Sequence, residues 1–221
     1  MTLPDAGFDR VAAFYDPLAR LVFGRSLLRA QQLALEGLPA GAPRVLIIGG
    51  GSGWVLREVL QRRPAAHILY LEASPAMLHR ARQTVQQNCS GQLQQAEFRL
   101  GTEDSLQPTE AFDVIVTFFF LDLFPVARLR HIVSQLAAVR QPKAPWLLAD
   151  FAPPRTAWQK LLLASMYRFF GLTTGIQGRE LPPIREELAR VGLIPTTHHT
   201  VFGGMAEAVI FQEIGLRLTA T

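Results

Sequence analysis

The sequence predicts an α/β protein built on a doubly wound parallel sheet, with helices on both faces and a hairpin near the C-terminal end. Three observations predict it. Short β-branched apolar runs alternate with longer amphipathic segments, the first run ends in a cluster of glycines, and two late strand-like runs flank a Gly-Gly pair.

Taken in order, the first forty residues read as helical, with Tyr15 and Asp16 before Pro17 and an apolar helix around Leu18–Leu35. Arg44–Ile48 (RVLII) is a continuous apolar run, the pattern of a strand buried on both faces. Trp54–Arg63 follows as a helix, His67–Leu71 as a strand and Pro75–Gln87 as a helix. Ser74 supplies the N-cap of that helix and Pro75 its first position. Glu97–Leu100 is a weaker strand and Phe112–Thr117 a strong one; Val126–Arg140 is a helix and Trp146–Phe151 a fifth strand. Thr156–Phe170 is a long apolar-rich helix, and Ile184–Val191 a short amphipathic one. Thr196–Phe202 and Ala206–Gln212 then flank Gly203-Gly204 as a hairpin. Neither an internal repeat nor a long linker divides the 221 residues, so one domain spanning 1–221 is expected.

Charge and composition narrow the classes. The net charge is +4, carried almost wholly by arginine, since Lys143 and Lys160 are the only lysines. The arginines are scattered, and only Arg62-Arg63 are adjacent, which speaks against nucleic acid as the partner. Cys89 stands alone, so an intramolecular disulfide and a cysteine-rich metal site are excluded. The five histidines show no H-x-x-x-H spacing, and His198 and His199, adjacent in a strand, point to opposite faces; no metal is expected. The N-terminal stretch carries Asp5 and Asp9 without an apolar run, unlike a signal peptide. The richest apolar stretch, 114–127, is too short to span a bilayer and contains Asp122. A cytoplasmic protein, monomeric or homodimeric, is the expectation.

The strongest motif is RVLIIGGGSGWVLREVL, a buried strand running into Gly49, Gly50, Gly51, Ser52 and Gly53 and out into a helix. Glycines there allow a tight turn and close approach of a ligand, while the helix start offers free N–H groups. The dinucleotide fingerprint G-x-G-x-x-G/A fails at Trp54 in one frame and at Leu56 in the other. G-x-G-x-G fits instead. Glu72 closes the second strand, where an acid can accept both hydroxyls of a ribose. Asp122, after the fourth strand, and Asp150, late in the fifth, lie where doubly wound sheets put their crevice; they are the candidate catalytic residues, as general bases, with a structural role in holding loop backbone the alternative for Asp150.

In sequence order, GGGSG, LEASPAML, LGTEDSL, FDVIVTFFFLDLF and WLLADF, followed by the hairpin at Gly203-Gly204, resemble the successive motifs of class I S-adenosylmethionine-dependent methyltransferases. The resemblance covers roughly residues 40–213, and FDRVAAFYDPLARLVFG upstream is similar to the opening helix of the ubiquinone/menaquinone-type members. It implies a Rossmann-like seven-stranded sheet with an antiparallel C-terminal strand. It further implies a helical cap over 1–40, a cofactor-binding half over 41–152 and substrate-side helices with the hairpin over 153–221. The cofactor implied is S-adenosyl-L-methionine. Gly49, Gly50, Gly51 and Gly53 would face its methionine portion and sugar. Glu72 would hold the ribose, with Ala73 and Met77 beside the adenosine. Thr102 and Glu103 would border the adenine, Phe118 would lie near the sulfonium, and Tyr15 would cover the carboxylate. Two departures stand out: relatives often carry an acid where this chain has Ile47, and an Asp where it has Thr102.

The reaction so implied is methyl transfer to a small, apolar or aromatic molecule. The alternatives are a non-catalytic binder of S-adenosylmethionine or S-adenosylhomocysteine, a nucleic-acid methyltransferase, and a nicotinamide-dependent oxidoreductase. Phe118, Phe119, Phe120 and Phe124, together with Trp158, Met166, Tyr167, Phe169 and Phe170, read either as core and dimer face or as a lid over an apolar acceptor. Arg155, Lys160 and Arg168 on the same helix leave peripheral membrane contact open.

Overall fold

The computed structural model describes residues 23–174 and 181–213. Seven strands form one sheet: β1 (Arg44–Ile48), β2 (His67–Glu72), β3 (Ala96–Leu100), β4 (Val114–Phe118), β5 (Trp146–Phe151), β6 (Leu193–Val201) and β7 (Ala206–Glu213). Their order is β3-β2-β1-β4-β5-β7-β6. The first five are parallel, and β7 inserts antiparallel between β5 and β6. The strand order reverses between β1 and β4, the switch point at which such sheets open a crevice beyond their carboxyl ends.

Period-two alternation explains why the parallel strands are apolar throughout. Val45 and Ile47 of β1 join one core cluster, while Leu46 and Ile48 join another on the opposite face. Helices cover both faces. On the first lie α1 (Ser26–Ala34), α2 (Trp54–Arg62) and α3 (Pro75–Asn88), through Ala30, Val55, Val59, Ala81 and Val85. On the second lie α4 (Val126–Ala138) and α6 (Ile184–Arg190), through Leu129, Ile132, Leu136 and Leu188. Between these two in sequence, α5 (Ala157–Thr174) packs Leu163 with Phe23, Phe151 and Met205 in a third cluster.

Most expected elements coincide with observed ones, and the differences have local causes. The fourth strand starts at Val114 rather than Phe112, because Phe112 forms an isolated bridge to Arg140 instead of joining a ladder. Strand β6 begins at Leu193 rather than Thr196 and runs through Pro195, which an edge strand tolerates. The ladder slips register between Pro195 and Thr197. Of the helix expected around Leu18–Leu35, the described part is Ser26–Ala34, and the rest of the 1–40 cap up to residue 22 lies outside the described residues, as does Tyr15. Trp158 is half exposed, while the side chains of Met166, Tyr167, Phe169 and Phe170 lie outside the described set. No helix among the described residues is long and apolar enough to cross a membrane.

One buried polar contact pins β4 to β5. Trp146 is fully buried, and its indole N–H donates to the Thr117 hydroxyl at 2.8 Å. Replacing Thr117 with Val keeps the shape but leaves that N–H without an acceptor. The substitution should cost about 1–3 kcal/mol in urea unfolding; an unchanged midpoint would mean the contact contributes nothing.

Candidate functional site

The glycine loop is held open by the side chains beneath it. Tyr70, fully buried two residues before Glu72 and on the same side of β2, donates its hydroxyl to the Gly51 carbonyl at 2.8 Å. Thr84 of α3 donates to the Ser52 carbonyl at 2.9 Å. The Glu72 carboxylate accepts the Gly51 N–H at 3.2 Å and the Ser74 N–H at 3.0 Å. That acid is only 8% exposed, so the end of β2 is a desolvated acceptor tied to both loops around it. Ser74 caps α3 by accepting the Met77 N–H at 3.1 Å, with Pro75 at the first position.

Two glycines show why no larger residue serves. Gly53 has φ +90°, and a Cβ there would lie 2.6 Å from the Ala81 backbone, so α2 starts hard against α3. At Gly51, with φ +63°, a Cβ would meet nothing within 4 Å, which leaves room directly beside Glu72. Backbone turned outward, open space and a buried carboxylate together fit the sugar end of a nucleoside. Ala73 and Met77, half-buried at the start of α3, flank that space.

The other expected residues fall elsewhere around the crevice. Phe118 packs into the core of the first face, 6% exposed. The aromatic ring at the glycine loop belongs to Phe120, which fills the space a Cβ on Gly49 would need. It gets there because Phe119 turns the chain at φ +49°, a strained value for a bulky residue, with its N–H held by the Ala149 carbonyl at 2.7 Å. No sequence signal marks that turn. Ile47 is buried among apolar side chains. Thr102 lies half-buried after β3, its carbonyl accepting the Ser105 hydroxyl.

Glu103, 2% exposed, pairs with Arg128 of α4 at 2.5 Å, while Asp104 takes His131 at 2.8 Å. Burial raises the Glu103 carboxyl above its ordinary range, with Arg128 opposing. Ligand atoms of Glu103, Asp104 and His131 lie within 4.8 Å of one another, but the Arg128 guanidinium reaches both acids, so the cluster already contains its cation.

Asp122 and Asp150 meet. Both are buried, and their carboxyls interact directly past the ends of β4 and β5. Desolvation pushes Asp122 up to about 6. Desolvation and the Asp122 charge push Asp150 well above the carboxylate range, so the pair holds a proton between its two carboxyls. The Phe151 N–H donates to Asp150 at 2.9 Å. Alternation places Asp150 on the side of β5 shared by Trp146 and Leu148, the sheet face opposite Tyr70 and Glu72.

This combination of strand order and glycine loop is the class I methyltransferase fold. Solved structures agree. The mitomycin 7-O-methyltransferase MmcR matches 94% of this chain with a TM-score of 0.68 at 22% identity, the chain covering 60% of that protein. The magnesium protoporphyrin IX methyltransferase from Synechocystis, solved with bound S-adenosylhomocysteine, matches 85% of this chain at a TM-score of 0.65 and 17% identity, with 82% of its own length covered. In sequence, residues 46–144, which run from β1 to just before β5, match the family model described as "Methyltransferase domain". A polyamine aminopropyltransferase from Erwinia tasmaniensis is 36% identical over 85 residues, 36% of this chain and 30% of that enzyme. Residues 46–144 are thus similar to a methyltransferase domain, the fold is that of the class I methyltransferases, and the chain spans under a third of the length of the curated relatives it matches.

The aspartate pair sets a pH dependence whose sign follows from its raised proton affinity. The folded state binds a proton the unfolded chain would release, so the stability is fully present below about pH 4, is lost as pH rises through about 6, where Asp122 ionises, and goes on falling above that through Asp150. The carboxyls held below their ordinary values, at Asp104, Glu110, Glu187 and Glu213, act in the acid range instead. Melting temperature should therefore fall between pH 5 and pH 8 in the wild type. Asp150→Asn should flatten that fall and melt higher at pH 8; parallel curves for the two proteins would remove the shared proton from the account.

Proposed function

We propose that the protein is an S-adenosylmethionine-dependent methyltransferase acting on a small, flat and largely apolar molecule. The observation that carries this reading is the Glu72 carboxylate, buried at the end of β2 beside the open space at Gly51. Charge-assisted hydrogen bonds from two ribose hydroxyls suit such an acceptor, whereas a 2′-phosphate would be repelled by it. The glycine loop then lies along the sugar and methionine portion, and Ala73 and Met77 line the adenosine. Thr102 borders the adenine, with Glu103 fixing the turn behind it through Arg128. When bound, the cofactor supplies an electrophilic methyl on a sulfonium; the protein's task is alignment and exclusion of water.

In this reading Phe120 takes the place beside the donor that Phe118 occupies in the sequence-based expectation. Asp122 and Asp150 act as positioning residues. Their shared proton closes the turn after β4, which sets Phe119 and Phe120 against the glycine loop. Half-exposed Trp158 stacks edge-on with Phe202 at 6.0 Å, and Leu161, 70% exposed, lies one turn further along α5. This apolar stripe suits an acceptor of low polarity or contact with a membrane surface.

Aminopropyl transfer to a polyamine is the second reading, favoured by the 36% identity with the Erwinia enzyme. A polycationic acceptor needs exposed carboxylates, and the two crevice aspartates are buried and share a proton. Methyl transfer is the better fit.

Calorimetric titration tests the proposal. S-Adenosylmethionine and S-adenosylhomocysteine should bind the wild type, with NAD as the silent control, and Glu72→Ala should weaken both by roughly 10- to 100-fold, the loss of about 1.5–3 kcal/mol for hydrogen bonds to a charged group. Equal affinity in the variant, or no binding by a folded wild type freed of copurified ligand, would overturn the reading.

A further inference from the structure

Helices α1 and α2 run side by side in the same direction. Arg62 at the end of α2 donates to the Gln32 carbonyl near the end of α1 at 3.2 Å, and Arg63 donates to the Leu38 carbonyl just beyond at 2.7 Å. Both helix starts therefore lie at the glycine-loop end, where Arg25 is the N-cap of α1 and Trp54 opens α2 directly after Gly53. Between them lies an open cleft of about 580 Å³, lined by Arg25, Arg29 and Gln32 from α1 and by Trp54, Arg57 and Glu58 from α2.

The cleft is unbalanced in charge. Among the described residues that line it, three arginines stand against one glutamate. Glu58 is already engaged by Arg57 at 3.0 Å and by Arg62 at 3.6 Å from outside the cleft. Among the described residues, Arg25 and Arg29 have no acid partner, and the buried Arg57 Nε has no acceptor. Neither helix has an acid in its first turn, so two positive helix ends add to the same field. Trp54 supplies a half-buried flat wall.

We propose that this cleft binds a phosphate group carried by the methyl acceptor, the acceptor's flat portion lying against Trp54. The inference rests on the methyltransferase reading for the word acceptor alone; the anion site stands on its own geometry. The described lining residues, three cations against one anion, sum to +2, which matches a phosphate monoester dianion and exceeds what one carboxylate would neutralise. Guanidinium forks suit its tetrahedral oxygens. Position supplies the link to the reaction, because the cleft opens beside the loop proposed to hold the methyl donor. The same chemistry is offered by a soluble phosphate ester and by a lipid with a phosphate-monoester headgroup.

Calorimetry of the whole chain with inorganic phosphate and pyrophosphate, and cosedimentation with phosphatidylcholine vesicles with or without phosphatidic acid, test the site and its source. The wild type should bind at least one of these probes, saturably and equally well with S-adenosylhomocysteine present. Arg25→Gln/Arg29→Gln, two exposed positions, should weaken that binding at least tenfold while leaving S-adenosylhomocysteine affinity unchanged. Binding of the soluble anions identifies a free ester, and binding of phosphatidic acid vesicles alone identifies a lipid headgroup. No binding in either arm, binding indifferent to the double substitution, or competition with S-adenosylhomocysteine would each overturn the proposal. Loss of cofactor binding by the wild type would instead strike the methyltransferase reading and leave the anion result standing.

Discussion

The crevice end of the molecule depends on one buried carboxylate. Glu72 ends β2 with almost no exposure and holds the backbone of the glycine loop on one side and the start of the α3 cap on the other. A desolvated carboxylate without donors is costly, so both backbone N–H groups are needed whether or not a ligand is bound. The loop shape, the space at Gly51 and the setting of Ala73 and Met77 all follow from satisfying that charge. Tyr70 supports the same loop from below, being two residues back and hence on the same side of the strand.

A second buried acid system faces the opposite side of the sheet and obeys a different rule. Asp122 and Asp150 have each other and a few backbone groups, and no cation among the described residues, so a proton neutralises them where Glu72 uses N–H donors. The two solutions have different consequences. Glu72 is held by backbone N–H groups at the mouth of the crevice. The aspartate pair is built to stay closed, and its geometry stiffens the turn between β4 and α4.

Much of the fold was legible because burial on both faces of a parallel strand leaves a continuous apolar run, and because glycine, serine and proline mark helix starts by known stereochemistry. RVLII, HILYL and WLLADF gave three strands to within a residue, and Ser74-Pro75 gave the start of α3. The site was legible only where one residue acts through its own strand position, as Glu72 does. What depends on contacts between distant segments was hidden. Nothing local in FFFLDLF says that Phe119 turns backward and brings Phe120 to Gly49. Arg25, Arg29 and Arg57 looked like scattered surface arginines, because the cleft between α1 and α2 that groups them has no signature along the chain.

The edge strand beyond β7 has a bearing on how copies of the chain can meet. Pro195 lacks an amide hydrogen, and the ladder slips beside it between Pro195 and Thr197. A neighbouring molecule trying to extend the sheet across β6 would find a missing donor and a broken hydrogen-bond rhythm. Growth of the sheet from chain to chain is thereby blunted on that side, and β6 is a terminus in the sense that matters for aggregation.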